Sequence, residues 1–314
     1  MTDPETLLAS TGNARADEAL RALVAACNAT LPGRLRSVYA TGSYGDETAL
    51  ASSDLDVTLV VAGRLTAKER ALAEGAVAGV ARECGIELDA TVAGEEDLAR
   101  GVPPLLKLGG RCVWGEDRRD AMPLVPIERW ARERMHAASW LIVNIFGRPV
   151  PVSLPLHYPA ASEEFFGYTR RTARLPDGRD VPSTRDLIRV TGWAATALVA
   201  LHGRAYIARK REMSAAYRQY IGDEHSALHE DIASWCRERW AYLIPDDAPS
   251  RAHLRDLCAR ALAFENRFLR EYREWVLGEL RSPDSNARQA ARKMLGRVPL
   301  ADDEIAATLQ GDGL

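Results

Sequence analysis

Two aspartates, Asp54 and Asp56, stand at the start of residues 55–62, a stretch whose composition is typical of a buried strand. Side chains alternate across a strand, so both carboxylates point to one face while Leu55 and Val57 point to the other. Like charges this close repel one another, and a hard divalent cation between them removes the repulsion. The spacing therefore predicts a metal site on the polar face of this strand.

A third carboxylate is available on the next predicted strand. Apolar and polar residues alternate over residues 86–92, which places Glu87 and Asp89 on one face. If the two strands are neighbours, Asp89 joins Asp54 and Asp56 to hold two Mg²⁺ ions. Paired metals of this kind suit an in-line displacement at phosphorus. Glu87 is the alternative for the third ligand.

The Gly42-Ser43 pair follows a predicted strand at residues 35–40 and is expected to open a turn or short helix. Backbone N–H groups and the Ser43 hydroxyl at such a turn can cradle phosphate oxygens. Glycine at position 42 permits a close backbone approach to a ligand. The Walker pattern G-x-x-x-x-G-K-[ST] is absent, so a P-loop is excluded.

These residues carry a family resemblance. Thr41-Gly42-Ser43, ten further residues and then Asp54-Leu55-Asp56-Val57 resemble the signature of the polymerase-β-like nucleotidyltransferase superfamily. The resemblance implies a small mixed sheet with helices that binds a nucleoside triphosphate and two Mg²⁺ through three carboxylates. It also implies that Asp54 and Asp56 are the metal-binding pair, that Ser43 contacts the triphosphate, and that Asp89 is the third, catalytic acid.

Two later stretches resemble one branch of that superfamily, the aminoglycoside adenylyltransferases of the streptomycin and spectinomycin type. They are LLKLGGRCVWGED at residues 105–117 and the helix, Gly turn and Lys-containing segment at residues 185–221. The resemblance implies that Lys210 reaches the ATP phosphates, with Arg209 or Arg211 sharing the task. This chain departs from the branch in having Arg209 directly before the lysine.

An aminoglycoside is a polycation, so its pocket should supply carboxylates. Asp186 matches the position where the helical domain of the resembling enzymes faces the cleft, and it is the candidate acceptor contact. A structural interpretation stays open, because Ser183, Thr184 and Asp186 at the start of a helix favour capping and the helix dipole.

The surrounding elements divide into two parts. Strand and helix signals alternate over the first 120 residues, and helical periodicity dominates after residue 127. We therefore expect an α+β protein with a mixed-sheet nucleotidyltransferase domain at residues 1–122 and an all-α bundle at 123–314. Within the bundle, apolar residues spaced three and four apart form one stripe, namely Leu187, Val190, Ala194, Ala197 and Leu201.

Composition limits the class of protein. The chain has 46% hydrophobic and 27% charged residues and a net charge of −3, which is typical of a globular protein. Residues 1–120 carry 13 Lys and Arg against 19 Asp and Glu, and neither half is basic enough for a dedicated nucleic-acid binder. Five scattered cysteines and the lack of a signal or membrane segment favour a reduced, cytoplasmic protein, expected to be a monomer.

The predicted function is Mg²⁺-dependent transfer of AMP from ATP to a hydroxyl of a small polar acceptor, an aminoglycoside-type antibiotic above all. One alternative is a nucleotidyltransferase acting on tRNA or on a protein, as toxin-type members do. A second is a non-catalytic interaction protein with the same fold. Intact Asp54 and Asp56 argue against the latter, because a degenerate site has no reason to keep two repelling carboxylates.

Two further sets of residues are interpreted as structural rather than functional. His225 and His229 stand four apart, and with no third ligand in the pattern they are expected to be solvated helix residues rather than a metal site. Three tryptophans of the second half, Trp130, Trp140 and Trp193, are expected in the core; the alternative is that one of them lines the nucleotide or sugar pocket.

Overall fold

A computed structural model describes residues 6–50, 53–175 and 178–311. The chain divides into two compact units: the first is Met1–Pro126 with Tyr206–Glu212, and the second is Ile127–Ala205 with Met213–Leu314. The first break thus falls four residues after the boundary predicted at 122. The segment Tyr206–Glu212, which carries Arg209 and Lys210, belongs to the first unit although the predicted helical domain surrounds it in sequence.

The first unit is built on a small mixed sheet of four strands in the order β3-β2-β1-β4. Strand β1 pairs antiparallel with both β2 and β4, and β2 pairs parallel with β3. The strands are β1 Leu35–Thr41, β2 Leu55–Val61, β3 Leu88–Gly94 and β4 Arg111–Gly115. All four lie within a few residues of the predicted positions.

Helices cover one face of this sheet. The helices of the unit are α1 Ala14–Thr30, α2 Gly42–Gly45, α3 Ala67–Cys84, α4 Glu95–Leu98 and α5 Pro104–Lys107, with a 3₁₀ turn at Arg119–Ala121. Leu55, Val57 and Leu59 of β2 are buried in one apolar cluster with residues of α1 and α3. Because neighbouring residues of a strand face opposite ways, Asp56 and Thr58 are left on the other face.

Local signals fix the two long helices. The Asn13 side chain accepts hydrogen bonds from the first turn of α1, and Thr66 forms a capping box with Glu69 at the start of α3. Gly85 ends α3 in the left-handed conformation. Such caps satisfy backbone groups that the helix itself leaves unpaired.

The second unit is largely helical. Its elements are α6 Ile127–Asn144, β5 Thr172–Arg174, β6 Asp180–Pro182, α7 Arg185–Leu198, α8 Met213–Tyr220, α9 Ser226–Asp231, α10 Ala248–Leu280, α11 Ser285–Arg297 and α12 Asp303–Gly311. A π-helical segment extends each of α7 and α9, at Val199–Gly203 and Ile232–Arg239. The small hairpin of β5 and β6 was not predicted. Four members of the predicted apolar stripe are fully buried, namely Leu187, Val190, Ala194 and Ala197.

The α+β fold class is therefore confirmed, with a mixed sheet in the first unit and helices in the second. Within the described ranges, no helix is long and apolar enough to cross a membrane.

Candidate functional site

Asp56 and Asp89 are brought together by strand pairing. They are direct partners in the parallel register of β2 and β3, as are Thr58 and Thr91 two residues later. In-register residues of neighbouring strands point to the same face, so the two carboxylates share the face opposite α1 and α3. Asp56 is half-buried and Asp89 is exposed.

Asp54 and Glu87 stand one step earlier. Each is the residue immediately before the first paired position, Leu55 with Leu88, and the Leu55 amide donates to the Glu87 carbonyl oxygen at 2.8 Å. Asp54 is half-buried beside Tyr44. Burial raises the pKa of the Tyr44 phenol, and the charge of Asp54 raises it further. Both candidates for the third acid, Asp89 and Glu87, therefore lie on β3 or directly before it.

Gly42 lies directly against the Asp56 carboxylate. It has φ +59°, a conformation that favours glycine. A Cβ built on it would lie 2.2 Å from Oδ2 of Asp56. The glycine therefore lets the first turn of α2 approach the Asp56 carboxylate directly.

Ser43 follows as the second residue of α2. Its hydroxyl oxygen is buried and has no hydrogen-bond partner among the described residues. A buried polar atom of this kind is uncommon in proteins and calls for an explanation. The loop behind it is braced by Arg111, which pairs with Glu47 at 2.8 Å and donates to the Tyr44 carbonyl oxygen at 3.4 Å.

A pocket of about 200 Å³ opens on the polar face of the sheet. One side is lined by carboxylates and hydroxyls and the other by apolar residues; the lining is Thr41, Asp56, Val57, Thr58, Asp89, Thr91, Ala93, Leu98, Pro103, Leu105 and Leu106. Sequence reasoning missed the apolar wall from α4 and α5. The Pro103-Pro104-Leu105-Leu106 run signalled a break in secondary structure but not a wall for this site.

The donors at this face suit magnesium in their chemistry, because they are hard oxygen ligands. Asp56 and Asp89 both line the pocket, whereas Asp54 is not part of its lining. Within the described part of the chain, no three His, Cys, Asp or Glu side chains are grouped closely enough to hold a metal ion. Mg²⁺ at triphosphate sites is commonly held by one or two carboxylates together with substrate phosphates, and the Asp56–Asp89 pair meets that requirement.

The segment Tyr206–Glu212 reaches this unit through a glycine contact. A Cβ at Gly109 would lie 2.6 Å from the Ala208 carbonyl oxygen, and the Gly109 carbonyl oxygen lies 2.7 Å from where a Cβ of Gly45 would be. The backbone at Gly109 therefore packs directly against α2 on one side and against Ala208 on the other. The Tyr206 hydroxyl donates to the Val125 carbonyl oxygen at 2.5 Å and fixes the same segment.

Lys210 and Arg209 differ in their surroundings. Arg209 is engaged by Glu212 at 3.1 Å and donates to the Leu108 carbonyl oxygen at 3.3 Å. Lys210 is exposed and forms no ion pair with an acid of the described residues. Arg209 is therefore held by protein groups, whereas the Lys210 ammonium group is available to contact a phosphate.

Asp186 lies in the second unit, in the first turn of α7, and is buried. Burial raises the pKa of its carboxyl, an effect that Arg171 opposes from 3.7 Å. The predicted side-chain capping by Ser183 and Thr184 is wrong. The Ser183 hydroxyl donates to the Arg171 carbonyl oxygen at 2.8 Å, and the Thr184 hydroxyl donates to that of Tyr242 at 3.1 Å.

The histidine pair is not solvated as predicted. His229 is fully buried, and its ring lies 4.3 Å from that of Tyr217 and 4.6 Å from that of Phe264. Burial lowers the pKa of His229 to about 3, and that of His225 is lowered as well. His229 is therefore held neutral in an aromatic environment.

The tryptophan prediction is correct in part. Trp130 is buried and Trp193 is half-buried, but Trp140 is 41% exposed and does not belong to the core.

A solved structure of similar fold is the spectinomycin adenyltransferase AAD(9) from Enterococcus faecialis, crystallised with ATP and spectinomycin. It superposes with a TM-score of 0.50 at 13% identity, over 80% of this chain and 98% of that one. A mutant of the toxin-antitoxin MntA-HpeT matches with a TM-score of 0.22 at 17% identity, over 30% of this chain and 72% of that one, and carries no argument. No protein-family model and no curated protein matches the sequence.

The first likeness shows the fold, a mixed sheet followed in sequence by helices. At this level of identity it does not carry the acceptor or the reaction across, because one fold can host many activities. The residues of the site therefore decide the function.

Proposed function

We propose that this protein is a Mg²⁺-dependent nucleotidyltransferase that transfers AMP from ATP to a hydroxyl of a small polar acceptor. One observation carries the proposal: Asp56 and Asp89 lie in register beside a pocket, and Gly42 brings the Ser43 turn into direct approach to Asp56. Carboxylates next to a phosphate-binding turn are what nucleotidyl transfer requires. The fold, which resembles that of a solved adenyltransferase, is compatible with such a reaction.

Each residue has a role in the proposed reaction. Asp56 and Asp89 would hold magnesium together with the substrate phosphates, and the ion when bound would neutralise charge on the triphosphate and polarise the α-phosphorus. The Ser43 hydroxyl donates to a phosphate oxygen, which explains why it is buried without a hydrogen-bond partner among the described residues. Lys210 supplies a second, cationic contact to the phosphates.

The bond changes are those of an in-line displacement. The acceptor oxygen forms a bond to the α-phosphorus while the bond from that phosphorus to the bridging oxygen breaks, and pyrophosphate leaves with its electron pair. The acceptor proton passes to a carboxylate, for which Asp89 is the first candidate and Glu87 the second. Most of the rate then comes from positioning and electrostatics.

The pocket supports a small acceptor. Its volume of about 200 Å³ lies below the usual range for drug-sized ligands, so it suits one ring of an acceptor at a time. An apolar wall opposite hydroxyls and carboxylates is suited to a ring with one carbon-rich face and several polar substituents. An amino sugar or aminocyclitol of the aminoglycoside type has that character.

The test is direct. The full-length protein is incubated with Mg²⁺, each of four nucleoside triphosphates in turn, and a panel of aminoglycosides, tRNA and protein acceptors, while pyrophosphate and product mass are followed. We expect adenylylation of a small acceptor by the wild type and none by Asp56→Asn. Equal behaviour of the two proteins with every acceptor would overturn the proposal. Transfer to tRNA alone would keep the reaction and replace the acceptor.

A further inference from the structure

Helices α6 and α7 contribute a stack of alternating tryptophans and arginines. Trp130 and Arg134 lie four residues apart on α6, and Arg189 and Trp193 lie four apart on α7. The central carbon of the Arg134 guanidinium is 4.4 Å from the Trp130 ring centroid and 5.3 Å from that of Trp193. The central carbon of the Arg189 guanidinium lies 5.3 Å from the same Trp193 ring centroid, so Arg189 forms the other end of the stack. We call these four residues the tryptophan–arginine ladder.

Two buried donors of the ladder lack acceptors. The Trp130 indole Nε1 and the Arg134 Nε are both buried, and neither has a hydrogen-bond partner among the described residues. Each of these atoms can only donate. Because buried donors in proteins are nearly always satisfied, two orphans on successive turns of α6 point to an acceptor from outside the chain.

The arginines of the ladder have no direct ion-pair partner among the described residues, although the charge of Glu133 acts on Arg134 and that of Asp186 on Arg189. Neither Arg134 nor Arg189 forms an ion pair with an acid of the described residues, whereas Arg132 on the same helix pairs with Glu279 at 2.5 Å. The acids nearest in sequence are engaged elsewhere: Glu133 pairs with Arg129 at 2.8 Å, and Asp186 with Arg171 at 3.7 Å. Burial lowers the pKa of the Arg134 guanidinium, so an anion there would be strongly favoured.

We propose that the tryptophan–arginine ladder is a binding site for a phosphate oxyanion, supplied as free pyrophosphate or as the phosphate chain of a nucleotide. Two guanidinium groups favour an anion with more than one charge, and planar guanidinium forks match phosphate oxygens in geometry. The indole rings hold Arg134 by cation–π contact, so little side-chain freedom is lost on binding. The site belongs to the second unit alone and does not rest on the proposed transfer reaction.

The experiment titrates full-length protein, without Mg²⁺, with pyrophosphate, ATP and adenosine, and follows tryptophan fluorescence and heat. Pyrophosphate and ATP should both saturate the signal, and adenosine should not. Arg134→Gln should weaken pyrophosphate binding about tenfold or more, the loss expected for one charged hydrogen bond. The matched control is Arg129→Gln on the same helix, whose side chain is exposed and paired with Glu133; it should change affinity by less than about twofold.

Arg189→Gln provides a second variant at the exposed end of the ladder, in case Arg134→Gln fails to fold. Asp56→Asn should leave pyrophosphate affinity at the ladder unchanged, so failure of this site and failure of the proposed reaction are distinguishable. If ATP binds and pyrophosphate alone does not, the phosphate chain of a nucleotide is the source. No saturation by either ligand, or equal affinity in wild type and both arginine variants, would overturn the site and leave the ladder a packing feature.

Discussion

The two units treat charge differently. In the second unit, Arg148 and Glu265 form a buried ion pair with side chains 5% and 0% exposed, and the Tyr168 hydroxyl donates to Glu265 at 3.0 Å. In the first unit, Asp56 and Asp89, two like charges, lie in register on neighbouring strands. Opposite charges that satisfy one another hold a fold together, whereas like charges set side by side oppose it. The aspartates therefore indicate a ligand, and the ion pair indicates architecture.

Glu265 shows the cost of burying charge. Burial raises the pKa of its carboxyl to about 7, although Arg148 and Tyr168 both stabilise the charged form. Such a pair adds little net stability compared with apolar residues, but removing one partner leaves the other uncompensated. Removing one charge should therefore destabilise the Arg148–Glu265 pair but not the Asp56–Asp89 pair.

The largest effect is expected from Asp56→Asn. We predict that the rate of nucleotidyl transfer falls by at least about 10²–10³-fold, the usual loss when one electrostatic contact to the reacting group is removed. Stability should stay equal or rise, because the repulsion from Asp89 is relieved. Enzyme assays and denaturant unfolding measure the two quantities. Asp120→Asn, an exposed aspartate of the same unit, is the control and should change neither.

Glu265→Gln should show the opposite pattern. We expect it to lower the free energy of unfolding by about 3–5 kcal/mol, because the Arg148 guanidinium is left buried without a counter-charge. The measurement is urea unfolding near pH 8, where Glu265 is ionised. If this variant is as stable as the wild type, the Arg148–Glu265 ion pair is not a structural requirement of the second unit, which would contradict the contrast between the two units.

Gly42→Ala tests the close approach to Asp56. The added methyl meets the carboxylate at 2.2 Å in a backbone conformation unfavourable to alanine. We predict a loss of about 1–3 kcal/mol in stability together with a loss of transfer activity. Gly75→Ala is the matched control, because it lies inside α3 with nothing within 4 Å of the new Cβ. That change should stabilise the protein by about 0.5–1 kcal/mol.

Lys210→Gln tests the phosphate contact from Tyr206–Glu212. Removing the ammonium should lower kcat/KM for ATP by about 10–100-fold, corresponding to one charged hydrogen bond of about 1.5–3 kcal/mol. Stability should not change, since Lys210 is exposed. Lys68→Gln on α3 is the control. Unaltered kinetics in Lys210→Gln would remove this segment from the site.

The smallest effect concerns pH and the second unit. The pKa of His229 is 6.5 when unfolded and about 3 in the fold, so below pH 6.5 the unfolded state takes up a proton that the native state refuses. The contribution of neutral His229 to the free energy of unfolding is thus fully present above pH 6.5 and is lost as the pH falls toward 3. His229→Phe should match the wild type within about 1 kcal/mol at pH 7.5 and gain relative stability steadily below pH 6.5. A constant difference across pH would contradict the buried, neutral assignment.

Much of the sheet unit follows from local rules. Alternation put Asp56 and Asp89 on polar faces of two strands, and the Gly42-Ser43 pair marked the turn before them. That β2 and β3 pair in parallel with these residues opposite one another is a tertiary fact, which alternation allows but does not dictate. The register is visible in the structure alone.

Other features depend on contacts distant in sequence. The docking of Tyr206–Glu212 on Gly109 joins residues about a hundred positions apart, and no local pattern encodes it. The sequence predicts His229 as a solvated helix residue, whereas in the structure Tyr217 and Phe264 enclose its ring. The opposite error occurs at Trp140, which is predicted in the core but is exposed, because a large apolar side chain is often but not always buried.

Calorimetry with a non-hydrolysable ATP analogue, with and without Mg²⁺, tests the central claim most directly. We predict that wild-type protein binds the analogue far more tightly with Mg²⁺ than without, and that Asp56→Asn loses this dependence while Asp120→Asn keeps it. Binding that is indifferent to Mg²⁺, or equally Mg²⁺-dependent in Asp56→Asn, would contradict the account.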